Sequence, residues 1–110
     1  MAALVEGTDY EIVGVEPGPV QSKIFIKTIN TVDAADTLTV DLTNYGIAAD
    51  GLVGVLGFKH TTDNSVSVQE QPTTAVASGV LTLTVPAGTD NDARFYEVKG
   101  FNKKAADSAL

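Results

Sequence analysis

The sequence predicts an all-β domain, an antiparallel β-sandwich of seven to eight short strands. Short segments alternate apolar and polar side chains with a period of two. Turn-forming residues separate them at intervals of about 8–12 residues, which is typical of a sandwich or a small barrel. The chain also contains 14 valines and 13 threonines, and β-branched side chains favour a pleated sheet. Strand order, jelly-roll or immunoglobulin-like, depends on long-range pairing and stays open.

The first two predicted strands flank a proline-rich turn. Residues 10–15 form an apolar segment that ends at residues 16–19, where two prolines fix φ and a glycine permits a positive value. Residues 20–30 follow, with Ile24 and Ile26 on one face. The other face carries Lys23, Phe25, Lys27 and Ile29.

The clearest strand lies in residues 36–43, where Leu38, Val40 and Leu42 project to one side and threonines and aspartates to the other. Residues 43–51 are the longest non-strand stretch in the middle of the chain and leave room for a single helical turn. Residues 52–59 are apolar at nearly every position. This pattern predicts a central strand covered on both faces.

The remaining strands follow the same alternation. Residues 65–70 place Val66 and Val68 inward, after a turn that predicts a hairpin. Residues 80–85 alternate again and end at a proline. In residues 93–101, Tyr96 and Val98 face away from the side that carries Phe95, Glu97 and Phe101.

The predicted organisation is one domain with an extension at each end. A chain of 110 residues holds a single packed core. We assign residues 1–9 to an N-terminal arm without a strand partner in the sequence, 10–101 to the sandwich and 102–110 to a flexible C-terminal tail.

Composition excludes several classes of partner and site. The net charge is -7 with only seven Lys and Arg residues, so attraction to nucleic acid is not expected. The absence of cysteine removes disulfides and thiolate metal sites. No segment resembles a signal peptide or the roughly 20 apolar residues of a membrane span. We therefore expect synthesis as a soluble cytoplasmic chain and no membrane partner.

The polar residues predict no enzymatic chemistry. No nucleophile-elbow pattern occurs, and His60 with Asp63 and Ser65 is an ordinary composition for a hairpin end. Residues 90–92, even with Asp63 nearby, lack the spacing of a calcium-binding loop. We therefore predict no catalytic residue, no metal site and no cofactor, and interpret these residues as solvated turns.

Apolar side chains on otherwise polar faces are the remaining feature. Phe25 shares its face with lysines, and Phe95 and Phe101 share theirs with Glu97 and Lys99. If these faces point away from the core, the aromatic rings form an interface. The alternative is that lysine stems flank rings that are simply buried. The predicted interface residues are Phe25, Lys27, Phe95 and Phe101.

From about residue 24 to residue 101 the chain resembles the decoration, or cement, proteins of tailed-phage heads. The resemblance lies in residues 31–37, 41–46, 57–62 and 94–100. It implies a β-rich, non-enzymatic, often trimeric virion protein that binds the major capsid protein on the capsid surface and bridges neighbouring shell subunits. The N-terminal arm would then order on the capsid or on a neighbouring copy, and its deletion would weaken attachment without unfolding the domain.

Other classes remain open at this point. A protein associated with the phage tail or fibre would have similar properties. A carbohydrate or cell-surface binding module of immunoglobulin-like type is another alternative, although sugar-binding platforms usually present tryptophan or tyrosine. This chain has no Trp and three Tyr residues. A small enzyme is the least favoured class, because no acid–base pair stands at a recognisable spacing.

Overall fold

The computed structural model describes residues 2–29, 32–86 and 92–102. These residues form eight strands and one short 3₁₀ helix. In chain order they are β1 (Tyr10–Glu16), β2 (Gln21–Thr28), β3 (Thr37–Asp41), the 3₁₀ helix (Leu42–Tyr45), β4 (Ile47–Thr62), β5 (Val66–Gln69), β6 (Thr73–Ala77), β7 (Val80–Thr84) and β8 (Ala93–Asn102).

Two antiparallel sheets form the predicted sandwich. The larger sheet has the order β1-β2-β8-β4-β5 and the smaller one the order β3-β7-β6. Residues 52–59 lie in an interior strand, paired on both sides, but the prediction that both of its faces are covered is wrong, since Val53 is 50% exposed. Strand β8 is central, whereas β4 lies next to the edge strand β5 and turns one face outward. Strand β4 also begins at Ile47, within the stretch predicted to be a loop.

The core lies between the two sheets. Strand β3 contributes Leu38 and Val40, and the cross-strand partners of these residues on β7 are Leu83 and Leu81. All four are at most 3% exposed. Ile24, Ile26, Tyr96 and Val98 face them from the large sheet and are equally buried. The predicted inward faces of these strands are therefore confirmed, and their burial supplies the main stabilisation of the fold.

The connection from β3 to β4 crosses between the sheets through the single helical turn. Asp41 caps it, since its Oδ1 accepts hydrogen bonds from the Thr43 backbone N at 3.0 Å and from Thr43 Oγ1 at 2.6 Å. Gly46 ends the turn with φ of 85°, a conformation that glycine adopts without strain. The helical turn predicted in residues 43–51 is thus present and starts one residue earlier.

The N-terminal segment covers one edge of the small sheet. Ala3 forms a parallel bridge with Thr37 of β3. The Leu4 N donates to the Thr37 carbonyl oxygen and the Thr37 N donates to the Ala2 carbonyl oxygen, both at 2.8 Å. Leu4 also packs against the core. The expectation that this segment lacks a strand partner is therefore wrong, because its partner lies on the same domain.

The C-terminal end of β8 is fixed by the turn between β1 and β2. The Asn102 side chain donates to the Gly18 carbonyl oxygen at 2.6 Å and accepts from Ser22 Oγ at 2.7 Å. The strand thus includes Asn102, the first residue of the predicted tail. Residues 103–110 of that tail lie outside the described residues.

The opposite side of the sandwich, formed by β5 and β6, is open. Val66 and Val68 on β5 and Val76 on β6 are directed to the core side, since their strand partners there include buried Leu81 and half-buried Lys59. They are nevertheless 46%, 39% and 38% exposed. The expectation that Val66 and Val68 are turned inward is therefore met only in strand parity and not in burial, because no described strand lies beyond β5 or β6 to cover them.

Candidate interaction surface

The outer face of the large sheet carries the phenylalanines. Along β2 and β8, Ile24, Ile26, Tyr96 and Val98 point into the core. Strand alternation therefore turns Phe25 and Phe95 outward, together with Phe58 of β4. All four phenylalanines of the chain, including Phe101, occupy outward positions. The large sheet thus presents its aromatic rings to the side where an antiparallel sandwich usually presents polar residues.

Register brings three of these rings together. Phe95 of β8 lies directly between Phe58 of β4 and Lys27 of β2. Phe25 pairs with Glu97, which places it diagonally to Phe95, at a separation of about 7–8 Å that aromatic side chains can span. Val13 lies at an irregularity in the β1–β2 pairing and is 59% exposed. Together Val13, Phe25, Phe58 and Phe95 form what we call the aromatic face.

The aromatic face forms an open groove with a volume of about 390 Å³. Its lining combines these four apolar side chains with Lys27 and Glu97. The rings themselves are only half-buried, so each keeps a surface that a second molecule could cover. Grooves lined mainly by apolar groups with a few polar ones are typical of binding sites.

Charged residues at the border of the groove pair with one another. Lys27 Nζ lies 3.8 Å from Glu11 Oε1, and Lys23 Nζ lies 4.0 Å from Glu97 Oε1. The four side chains are 29% to 49% exposed, so each pair contributes little stability. The result is an apolar centre within a balanced polar rim, the arrangement found at protein–protein interfaces.

His60 extends this surface but shows no catalytic arrangement. Its ring lies on Phe95, with 4.6 Å between the ring centroids and an angle of 39° between the planes. Its Nδ1 accepts a hydrogen bond from the Asn64 backbone N at 3.1 Å. This hydrogen bond helps to close the β4–β5 turn. This geometry supports the structural interpretation of His60.

A second cluster of charged residues is buried at one end of the core. Arg94, the only arginine in the sequence, is fully buried. Its Nε donates to Glu70 Oε1 at 2.8 Å, and its Nη1 donates to the backbone oxygens of Val32 at 2.6 Å and Asp92 at 2.9 Å. Lys59 Nζ is 3.8 Å from Glu70 and 3.9 Å from Asp92. These contacts tie β8 to the segments before β3 and β6.

Tyr96 lies beside this cluster. Its hydroxyl is buried and has no hydrogen-bond partner among the described residues. Burial raises the pKa of Tyr96 to about 12; nearby Arg94 lowers this pKa and Glu70 raises it. The Tyr96 phenol therefore stays neutral under ordinary conditions.

The predicted interface residues are only partly brought together. Phe25, Lys27 and Phe95 line the same groove. Phe101 is on the same face but six residues further along β8, opposite Gln21, which is about 20 Å from Phe95 at 3.3–3.4 Å per residue. Phe101 therefore does not belong to the aromatic face.

Sequence reasoning missed Val13 and Phe58. Phe58 lies in residues 52–59, which are apolar at nearly every position. This pattern predicts a strand covered on both faces, so it does not distinguish Phe58 from its neighbours. The polar His60, two residues after Phe58, was the available signal that this side faces outward. Val13 has the same parity as exposed Glu11, and Ile12 between them packs against the core, so alternation was the available signal for its outward direction.

Other kinds of site find no support in the described ranges. No group of three or more His, Asp or Glu residues there could hold a metal ion. Asp92 contacts Lys59, while Asp90 and Asn91 lie outside the described residues. Within the same ranges, no helix has the length and apolar character needed to cross a membrane.

Comparison with known proteins assigns no family. No protein-family model, no curated protein and no solved structure matches this chain.

Proposed function

We propose that this protein is a non-enzymatic structural component of a virion that binds the outer capsid surface through its aromatic face. In this role it bridges or stabilises neighbouring shell subunits, with the major capsid protein as its partner. The observation that carries the proposal is the outward clustering of Phe25, Phe58 and Phe95 in one groove. Aromatic rings on an outer face are costly to leave in water and are a usual feature of interface centres.

Three further features support this role. The sandwich buries its own core, so the aromatic face is not needed to fold the domain. The rim charges are paired internally and leave the apolar centre free for contact. The net charge of -7 disfavours attachment to nucleic acid and agrees with a protein that acts on the outside of a shell.

The proposal places the capsid contact on the aromatic face and not on the N-terminal segment. Residues 2–4 pair with β3 of the same domain, so they are already engaged. A groove of this size gives a weak contact in a single copy. Several linked copies would strengthen attachment about 10²–10⁴-fold where geometry allows simultaneous binding, and a homo-oligomer is therefore part of the proposal.

Co-sedimentation with purified phage heads from the same source tests the proposal. We expect saturable binding of the labelled chain at a fixed ratio to the major shell subunit. Phe58→Glu places a charge in the groove and should weaken binding at least about tenfold, the effect of losing roughly 1.4 kcal/mol. Thr39→Glu is the matched control, since Thr39 is exposed on the outer side of the small sheet.

Folding of each variant is checked by near-ultraviolet circular dichroism, and Phe58→Ser serves if the glutamate variant does not fold. Equal binding by the Phe58 and Thr39 variants would contradict the assignment of the aromatic face. If the wild-type chain does not bind heads at all, the capsid role is wrong. Isolated tails and a glycan array then test the alternatives of a tail-associated protein and a carbohydrate-binding module. No structural feature favours the carbohydrate module, because all three tyrosines face the core.

A further inference from the structure

The open β5–β6 side of the sandwich is a second surface, separate from the aromatic face. Strands β5 and β6 are edge strands of the two sheets and are joined by a short connection through Glu70. Every residue of both strands is exposed. Val66, Val68 and Val76 are directed to the core side but remain open to solvent. We call this surface the valine edge.

The valine edge lacks the usual protection of an edge strand. Natural sheets discourage edge pairing with charged side chains, bulges or covering segments. The other two edges show such devices. Strand β1 carries Glu11 and Glu16 and an irregular register with β2, and β3 is covered by residues 2–4. Strand β6, by contrast, consists of Thr, Ala and Val residues only.

Charge indicates what can approach the valine edge. Between residues 64 and 78 the only ionisable side chain is that of Glu70, which is turned inward to Arg94. The chain as a whole carries a charge of -7, so two copies repel each other over most of their surface. The valine edge is a strip on which two copies can meet without placing like charges together.

The sequence of β6 also suits pairing with itself. If two copies align antiparallel about Ala75, the core-side residues Val76 and Thr74 of one copy oppose Thr74 and Val76 of the other. Cross-strand pairs of β-branched side chains stabilise a sheet. The unpaired backbone groups of the two edges would be satisfied at the same time, and the exposed valines of both copies would cover one another.

We propose that the valine edge binds a second copy of this chain, through antiparallel pairing of β6 with β6 about a two-fold axis. The two small sheets then form one continuous six-stranded sheet. Two-fold pairing uses the same surface on both copies. A head-to-tail ring of the kind needed for a trimer would instead have to join the valine edge to β1 or β3, whose edges carry glutamates or are already covered. The proposal is independent of the capsid role.

Sedimentation velocity over a range of concentrations tests the proposal with the full chain. The wild type should sediment as a species of twice the 11.4 kDa chain mass. Val76→Lys places two like charges diagonally across the two-fold axis, each opposite Thr74 of the other copy, and should raise the dimer dissociation constant at least about tenfold. Val13→Lys is the matched control, because Val13 is an exposed valine on the aromatic face, and it should leave the dimer intact.

Each other outcome overturns the proposal. A wild-type monomer or trimer excludes the two-fold pairing. A dimer that Val76→Lys leaves unchanged shows that another surface is used, and a dimer lost in Val13→Lys alone assigns the contact to the aromatic face. Thr74→Lys replaces Val76→Lys if circular dichroism shows that the latter is unfolded. The Val76→Lys variant is also tested for binding to phage heads. If it is monomeric and still binds, the valine edge is the dimer contact and not the capsid contact, so the two proposals can fail separately.

Discussion

Arg94 and Glu70 form a buried two-point ion pair, with Nε of Arg94 2.8 Å from Oε1 of Glu70 and Nη2 3.4 Å from Oε2. The arginine side chain is 0% and the glutamate side chain 8% exposed. Replacing Glu70 removes the carboxylate that balances the buried guanidinium, although the hydrogen bonds of Arg94 to the Val32 and Asp92 backbone oxygens remain. We predict that Glu70→Ala lowers the free energy of unfolding by about 3–5 kcal/mol, measured as a shift of the urea midpoint at constant slope.

Glu11→Ala provides the comparison, because the Glu11–Lys27 pair is about half-exposed and should contribute less than about 1 kcal/mol. The double variant Arg94→Met with Glu70→Met should lose less stability than the sum of the single variants, since no unpaired charge remains. Strictly additive losses would contradict the coupling of the two side chains.

Tyr96 predicts a loss of stability at alkaline pH. Its pKa is about 12 in the fold, against an ordinary tyrosine value of 10.0, so the unfolded chain releases this proton first as pH rises. The resulting destabilisation is absent below pH 10 and grows to about 3 kcal/mol between pH 10 and pH 12. Tyr96→Phe should remove it, while stability at pH 7 is unchanged or higher, because the hydroxyl has no hydrogen-bond partner among the described residues.

The measurement is urea unfolding of the wild type and Tyr96→Phe at several pH values, together with the phenolate absorbance of the folded protein. One of the three tyrosines should ionise only near pH 12 in the wild type, and that step should be missing from the variant. Parallel pH profiles for the two proteins would rule out this assignment.

Two glycines of β4 predict opposite responses to alanine. A Cβ at Gly57 would collide with the Glu70 carbonyl oxygen and would lie 3.1 Å from both the Tyr96 ring and the Pro72 Cδ. A Cβ at Gly54 would meet no atom within 4 Å. We expect Gly57→Ala to cost about 1–3 kcal/mol through overpacking. Gly54→Ala should leave stability unchanged or raise it by up to about 1 kcal/mol, and thermal unfolding distinguishes the two.

The N-terminal segment predicts a contrast between adjacent residues. Leu4 packs against the core, whereas the Val5 side chain is 58% exposed. Leu4→Ala should therefore lower the free energy of unfolding by roughly 1–2 kcal/mol, and Val5→Ala should change it by less than about 0.5 kcal/mol. Equal effects in chemical unfolding would show that the segment does not pack on the domain in solution.

Alternation predicted what depends on neighbouring residues in the chain. The inward faces of β3, β7 and β8 follow directly from the spacing of Leu38, Leu81 and Tyr96. The same alternation placed Phe25 and Phe95 on an outward face, which is why half of the aromatic face could be predicted. Arg94 shares the parity of Tyr96, so its inward position was also available from the sequence.

Long-range pairing determined what could not be predicted. The edge-adjacent position of β4, the partner of the N-terminal segment and the open side at Val76 all depend on which strands become neighbours. The pairing of Arg94 with Glu70 likewise joins residues 24 positions apart. No local pattern specifies such contacts, because period-two alternation describes the faces of a strand and not its neighbours.

The tyrosines and the phenylalanines lie in different environments, which gives this protein two separate optical signals. Its three tyrosines face the core, its four phenylalanines lie on the outer side of the large sheet, and it has no tryptophan to mask either signal. Tyrosine emission should therefore respond to unfolding and be nearly indifferent to a ligand that covers the aromatic face. The fine structure of phenylalanine absorbance should respond to such a ligand while the fold stays intact.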